Sequence, residues 1–225
     1  MRLVAVLALG ISAAFQLTEP SLAQTFDDSL QVYAVNVVKT PPFKKQFTGY
    51  GIYLGGPWVI TAAHVVGHWP FLTRPRVLVA GLDLPATVVK KDDQVDLALL
   101  SVDETKLPVS LRLRRNPLCT APPVPGMEVV DVMPESATRT RIVSPLLIAS
   151  ELRSRFDTLV DTVEVSGTGI FDAQRKCLLG IISAKVQKFG YRRMNRRLLV
   201  NPDGFAGYFV SAAKIVGFLP PKFHF

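Results

Sequence analysis

From Val32 onward, apolar and polar residues alternate in short runs that favour strands over long helices. Runs rich in Val, Ile, Thr and aromatics cover Val32–Val38, Thr48–Leu54, Trp58–Ala62, Arg76–Ala80 and Ala86–Lys90. They continue at Leu97–Val102, Met127–Met133, Arg141–Ile148 and Leu178–Ser183. Turn clusters such as Gly55-Gly56-Pro57, Lys91-Asp92-Asp93 and Asn201-Pro202-Asp203-Gly204 separate them. The spacing predicts an all-β sandwich or barrel, without alternating βαβ units. Only the tail reads as a helix. Ser211 offers an N-cap, Ile215, Val216 and Leu219 are read as one apolar face, and Pro220-Pro221 ends it.

A Pro-rich stretch, Asn116-Pro117 with Ala121-Pro122-Pro123-Val124-Pro125-Gly126, predicts a boundary. It separates a first β-rich half (24–116) from a second (127–225, with the terminal helix) through a connector (117–126). Residues 1–23 read as a signal peptide: Arg2, an apolar run from Leu3 to Phe15, then Ser21-Leu22-Ala23 with small residues at the cleavage positions. The alternative, a membrane anchor, needs roughly 20 apolar residues, more than this run supplies. The chain is therefore expected to be secreted or periplasmic, in a bacterial envelope, with its mature end at Gln24.

Composition narrows the picture further. With 48% apolar residues the 225-residue chain is not mainly disordered, and its formal net charge is +8. Cys119 and Cys177 have no CxxC spacing, so a zinc or redox motif is not indicated. After export the pair reads as one disulfide, with two buried free thiols as the alternative. No P-loop, HExxH or GxSxG string occurs, and no cofactor or metal is expected.

Three segments carry candidate chemistry. Trp58-Val59-Ile60-Thr61-Ala62-Ala63-His64 is a strand running into a small-residue turn that ends at a histidine. Asp96-Leu97-Ala98-Leu99-Leu100 sets a carboxylate at the mouth of a buried strand. Ser166-Gly167-Thr168-Gly169-Ile170-Phe171-Asp172 places a serine on a tight turn before another strand. A serine hydroxyl needs a base, imidazole titrates near neutrality, and a carboxylate can fix the imidazole tautomer. Glycines beside the serine let backbone N–H groups face a developing oxyanion. Each segment alone is a common structural pattern; their joint occurrence, in the order His, Asp, Ser, is not.

These strings resemble the chymotrypsin-like serine proteases. Thr61-Ala62-Ala63-His64 matches that family's histidine motif and Asp96-Leu97-Ala98-Leu99-Leu100 its aspartate motif. Ser166-Gly167-Thr168-Gly169-Ile170-Phe171 is similar to the serine motif of bacterial glutamyl endopeptidases and exfoliative toxins. Leu179-Gly180-Ile181-Ile182-Ser183 resembles the pocket-lining strand, and Gly207-Tyr208-Phe209-Val210 the closing strand. The resemblance implies two six-stranded antiparallel β-barrels with a short C-terminal helix and the active site between the barrels. It implies His64, Asp96 and Ser166 as catalytic residues and the N–H groups of Glu164 and Ser166 as the oxyanion hole. Val160, Asp161, Ser183, Ala184 and Lys185 are the candidate substrate pocket. Two positions depart from the family: Glu164 replaces a glycine, and Val165 replaces the aspartate that animal members pair with a released N-terminus.

Lys185, Lys188, Arg192, Arg193, Arg196 and Arg197, with Phe189 and Tyr191 interleaved, make the segment after the pocket strand basic. It is expected to favour acidic peptides or to be a solvated loop; nucleic acid is not the expected partner. The resulting expectation is an exported, monomeric serine endopeptidase. The alternatives are a protease-fold binding protein silenced by Glu164 and a basic polyanion-binding envelope protein.

Overall fold

The computed structural model describes residues 27–39, 47–67, 74–162, 165–188, 190–194, 197–201 and 204–221. The expected signal peptide, with its cleavage site, and Glu164 lie outside them, as do Phe189 and Arg196.

Among the described residues, the strands of the first half are β1 (Ala34–Lys39), β2 (Phe47–Gly55), β3 (Trp58–Thr61), β4 (Arg76–Val79), β5 (Leu82–Asp92) and β6 (Leu97–Val102). They close into an antiparallel barrel in the order β1-β2-β3-β6-β5-β4. Those of the second half are β7 (Glu128–Val132), β8 (Ala137–Val143), β9 (Leu159–Val160), β10 (Gly169–Asp172), β11 (Leu178–Gln187) and β14 (Phe205–Ser211). They close in the order β10-β11-β14-β9-β8-β7. A two-stranded hairpin of β12 (Gly190–Met194) and β13 (Arg197–Asn201) forms a separate sheet, where the sequence predicts a loop. Three short helices complete the described fold: α1 (Ala63–Val66), α2 (Val109–Arg112) and α3 (Ala212–Phe218). The all-β expectation and the two six-stranded barrels with a terminal helix are borne out. No helix of the described residues is long and apolar enough to cross a membrane.

Strand periodicity sorts the side chains into three cores. Along β6, Ala98 and Leu100 fill the first barrel, whereas Leu97 and Leu99 enter the layer between the barrels. Along β7, Val129 fills the second barrel while Val130 and Val132 enter that same middle layer. Both faces of these strands are buried, which is why Leu97–Leu100 reads as a continuous apolar run.

Some boundaries differ from the sequence reading. The strand expected at Arg141–Ile148 is instead Ala137–Val143, because Pro145 opens a 3₁₀ turn in which the Leu146 N–H is met by the Ser144 hydroxyl. The strand expected from Ala86 begins at Leu82 and includes Pro85. Proline is tolerated there because β5 pairs with β4 up to Pro85 and with β6 from Ala86 on, so Pro85 has a partner on one side only. In α3, Ile215 and Leu219 are buried as expected, but Val216 is half exposed. The buried stripe is Ala212, Ile215 and Phe218, and Val216 lies about 100° off it. Ser211 precedes the helix without a side-chain cap bond.

Cys119 and Cys177 form a disulfide. Leu118 bridges Leu178 in parallel fashion, so the connector runs along the start of β11 before the sulfurs lock it there.

Candidate active site

His64 lies in the single turn of α1, directly after β3. That turn has no side-chain N-cap of its own. Asp96 supplies the acceptors: its carbonyl takes the Ala63 N–H at 3.1 Å and its Oδ1 takes the His64 N–H at 3.0 Å. At the other end, the buried Lys39 ammonium donates to the Val66 carbonyl, a cation where the helix dipole favours one. The backbone of His64 is thereby fixed relative to Asp96 before the side chains meet.

The side chains do meet. His64 Nδ1 lies 2.9 Å from Asp96 Oδ2 and 3.0 Å from Oδ1. An ionised carboxylate only accepts, so Nδ1 carries the proton and Nε2 is left with its lone pair. Ser183, on β11, donates its hydroxyl to Asp96 Oδ2 at 2.5 Å. Burial raises the Asp96 pKa, but the hydrogen bonds from His64 and Ser183 overcome that and hold the carboxyl below its ordinary range. The bond to Asp96 in turn raises the His64 pKa above the usual imidazole value, against the effect of burial.

Ser166 comes from the opposite barrel. Its Oγ donates to the Ser183 carbonyl at 3.4 Å, a long bond, and its carbonyl accepts the Tyr50 N–H of β2 at 2.9 Å. Ser183 thus touches both partners, with its hydroxyl on Asp96 and its carbonyl on Ser166. Thr61 steadies the same junction by donating to the Tyr50 carbonyl at 2.6 Å. Gly167 has φ +91°, and a Cβ there would stand 1.8 Å from the Tyr50 oxygen, so the turn requires glycine. His64 and Ser166 face the same junction without a direct hydrogen bond between their side chains.

A cleft of about 710 Å³ opens beside this junction. His64, Asp96, Ser183, Ala184, Phe156 and Tyr208 are among the residues that line it, whereas Ser166 is not. Of the other expected pocket residues, Val160 is wholly buried in the second barrel and does not line the cleft. Asp161 is exposed and paired with Lys188 at 2.5 Å, and Lys185 is exposed on β11. The contacts of Ser183, Tyr50 and Thr61 were not foreseen. They join residues far apart in sequence, and only the Thr61-Ala62-Ala63-His64 string hinted at one of them.

Cys119, Cys177 and Asp172 bring ligand-type atoms within 4.8 Å of one another. The sulfurs are bonded to each other, so no thiolate is offered to a metal.

No protein-family model and no curated relative matches the chain by sequence. Solved structures do match by shape. The Rv3671c protease of M. tuberculosis in its active form is 19% identical with a TM-score of 0.61, over 96% of this chain and 93% of that one. Its inactive form gives 20% and 0.60, over 89% and 94%. The serine endoprotease of Yersinia pestis gives 20% and 0.59, over 88% of this chain and 65% of that one. The chain has the two-barrel fold of the chymotrypsin-like serine proteases.

Proposed function

We propose that the protein is an exported serine endopeptidase that cleaves peptide bonds through an acyl-enzyme on Ser166. The observation that carries this reading is the His64–Asp96 pair, with Nδ1 bonded to both carboxylate oxygens and Ser183 linking the pair to Ser166. Ser166 Oγ attacks the scissile carbonyl carbon while His64 Nε2 accepts its proton. Asp96 holds the tautomer and stabilises the imidazolium. The C–N bond then breaks, and the proton on Nε2 passes to the leaving amine. Water, deprotonated by the same nitrogen, attacks the acyl carbon, the C–Oγ bond breaks, and the Nε2 proton returns to Ser166 Oγ as the acid leaves. The N–H groups of Glu164 and Ser166 are the assigned oxyanion donors, and losing one such donor costs about 10²–10³ in kcat.

The peptide approaches the junction where Ser166 and the His64–Asp96 pair meet, beside Ser183 and Ala184. Exposed Lys185 on β11 and the paired Lys188 just after its end follow them in the chain, which supports a preference for acidic peptides. Export rests on the sequence of residues 1–23 and agrees with the disulfide.

A second reading, a catalytically silent binding protein, draws on Glu164 and on the Ser166 hydroxyl bonding to Ser183 rather than to His64. A peptide library digested with the mature protein separates the two. Endopeptidase activity is expected, and Ser166→Ala is expected to lower kcat by about 10⁴-fold or more. A library left intact by folded wild-type protein, and also by Glu164→Gly, would favour the binding protein.

A further inference from the structure

The cleft beside the site carries a charge pattern that the reaction above leaves unused. Three cations line it, and each stands against an aromatic ring that also lines it. Lys90 Nζ lies 4.7 Å from the centre of the Phe218 ring, the Arg155 guanidinium carbon 5.2 Å from that of Phe156, and Lys214 Nζ 5.8 Å from that of Tyr208. All three distances are within the reach of cation–π attraction. Two of the rings also hold each other, since Phe156 meets Tyr208 edge-on with centroids 5.0 Å apart.

Two of the cations are engaged by oxygen. Lys90 donates to the Phe218 carbonyl at 2.6 Å, and Lys214 bonds both Asp157 carboxylate oxygens at 3.1 Å. Arg155 differs. Among the described residues its guanidinium meets no carboxylate and no carbonyl, and its partner is the Phe156 ring. Its backbone is fixed all the same, because the Arg155 and Phe156 N–H groups both donate to the Leu152 carbonyl, at 3.1 and 2.9 Å. The carboxylates of the cleft come from the first half of the chain, as Asp92, Asp93 and Asp96, whereas Arg155 and Lys214 come from the second. Asp93 is paired with Lys91 at 2.6 Å, and Asp92 Oδ1 accepts the Gln94 and Val95 N–H groups.

The cleft adjoins the nucleophile without containing it. Ser183 lines the cleft, and its carbonyl accepts the Ser166 hydroxyl. From Ser183 onward β11 pairs only with β14 among the described residues, so its other edge is open to an extended peptide. Ala184, next along that edge, brings no more than a methyl group to the cleft.

We propose that Arg155 is a specificity-determining residue that takes a carboxylate side chain of the peptide substrate, at one position removed from the scissile bond. This rests on the endopeptidase reading and adds to it which residue selects the acid. A guanidinium stacked on a ring keeps its planar fork of N–H donors turned outward, and that fork matches a carboxylate. Glutamine has nearly the same shape as glutamate but no charge, so the choice between the two reads the pairing alone.

Peptide pairs that differ only in Glu or Gln test this on the full mature chain. A library digest first gives the cleaved sequence, and Glu is then compared with Gln at each position away from the cut. Wild-type protein is expected to prefer Glu about 3- to 10-fold in kcat/KM at one such position, the range of an ion pair partly open to water. Arg155→Gln should bring that ratio near one, Arg155→Lys should keep part of it, and Arg155→Glu should favour Lys there instead. Raised salt should shrink the wild-type ratio. A merely structural role would lower cleavage of both peptides alike and leave the ratio intact. Should Arg155→Glu fail to fold, Arg155→Gln and Arg155→Lys still decide the matter. A wild-type ratio near one at every position, a ratio unchanged in Arg155→Gln, or a ratio lost in Lys185→Gln instead would each overturn the proposal. Cleavage persists in those three cases, so the endopeptidase reading stands. A library left intact by folded wild-type protein, and also by Glu164→Gly, fails the endopeptidase reading itself and the role of Arg155 with it.

Discussion

Asp96 has φ +60°, in the left-handed region that a residue with a side chain seldom adopts. The conformation lets one residue serve three acceptor roles, toward the Ala63 N–H, the His64 N–H and the His64 ring. Strain of this kind persists where the surroundings over-determine it, which is common at reacting centres. A consequence can be measured. In the proposed reaction His64 acts as a base and must be neutral, and its pKa is raised above the ordinary value of about 6.5 by the bond to Asp96. The kcat/KM profile should therefore rise with pH through a midpoint above 6.5. Asp96→Asn should move that midpoint down while lowering kcat by about 10⁴-fold. A wild-type midpoint at or below 6.5 would contradict the pairing. His64, Asp96 and Ser166 were legible in the sequence because each ends or opens a short string of small and apolar residues. Ser183 was named only as a pocket residue; its bond to Asp96 spans 87 positions and leaves no local pattern.

Among the elements, the 3₁₀ turn Ser29–Tyr33 before β1 ties the two barrels together. The chain leads from it into the first barrel, whose core Val32 and Tyr33 pack against, and it also reaches the second. Tyr33 stacks on Phe171 with centroids 6.4 Å apart, and Leu30 enters the middle core layer. Just before it, the buried Asp27 pairs with Arg139 at 2.6 Å and Lys176 at 2.5 Å. Burial raises the Asp27 pKa, but those two cations reverse the shift and hold it below the usual carboxylate value. A lowered folded-state pKa contributes stability that is present above the unfolded value of about 3.9 and lost as pH falls toward the folded one. Asp27→Asn should destabilise the protein by about 1–3 kcal/mol at neutral pH, a range reduced because Arg139 is half exposed. The difference from wild type should shrink below about pH 4, as read by urea melts across pH. An equal difference at every pH would refute the ion-pair account. Strands buried on both faces, such as Leu97–Val102, were found by sequence to the residue. β8 was displaced because Ala137–Arg141 alternates polar residues on an exposed surface, while the apolar Val143–Ile148 stretch carries Pro145. The hairpin β12–β13 was missed because its basic residues read as a solvated loop.

At the scale of the whole molecule, the two barrels are joined by a shared apolar layer, by the Tyr50–Ser166 backbone bond and by the Ser183–Asp96 bond. The candidate site exists only where both barrels contribute, since His64 and Asp96 come from one and Ser166 and Ser183 from the other. The Cys119–Cys177 bridge, closing a separation of 58 residues, restrains the unfolded chain by about 4 kcal/mol in the loop-entropy model and fixes the connector to β11. The all-β class was legible because turn clusters divide the sequence into short strands, whereas the two six-stranded barrels were implied by the resemblance of the strings around His64, Asp96 and Ser166. How the two halves face each other was not, because it depends on residues distant in sequence. The proposed reaction requires Ser166 to be a nucleophile activated by His64, and intact-mass measurement after exposure to a fluorophosphonate tests that most directly. Wild-type protein should gain one adduct located on Ser166, His64→Ala should react far more slowly, and Ser166→Ala should gain none. Folded wild-type protein that stays unlabelled, or a Ser166→Ala variant labelled as fast as wild type, would contradict it.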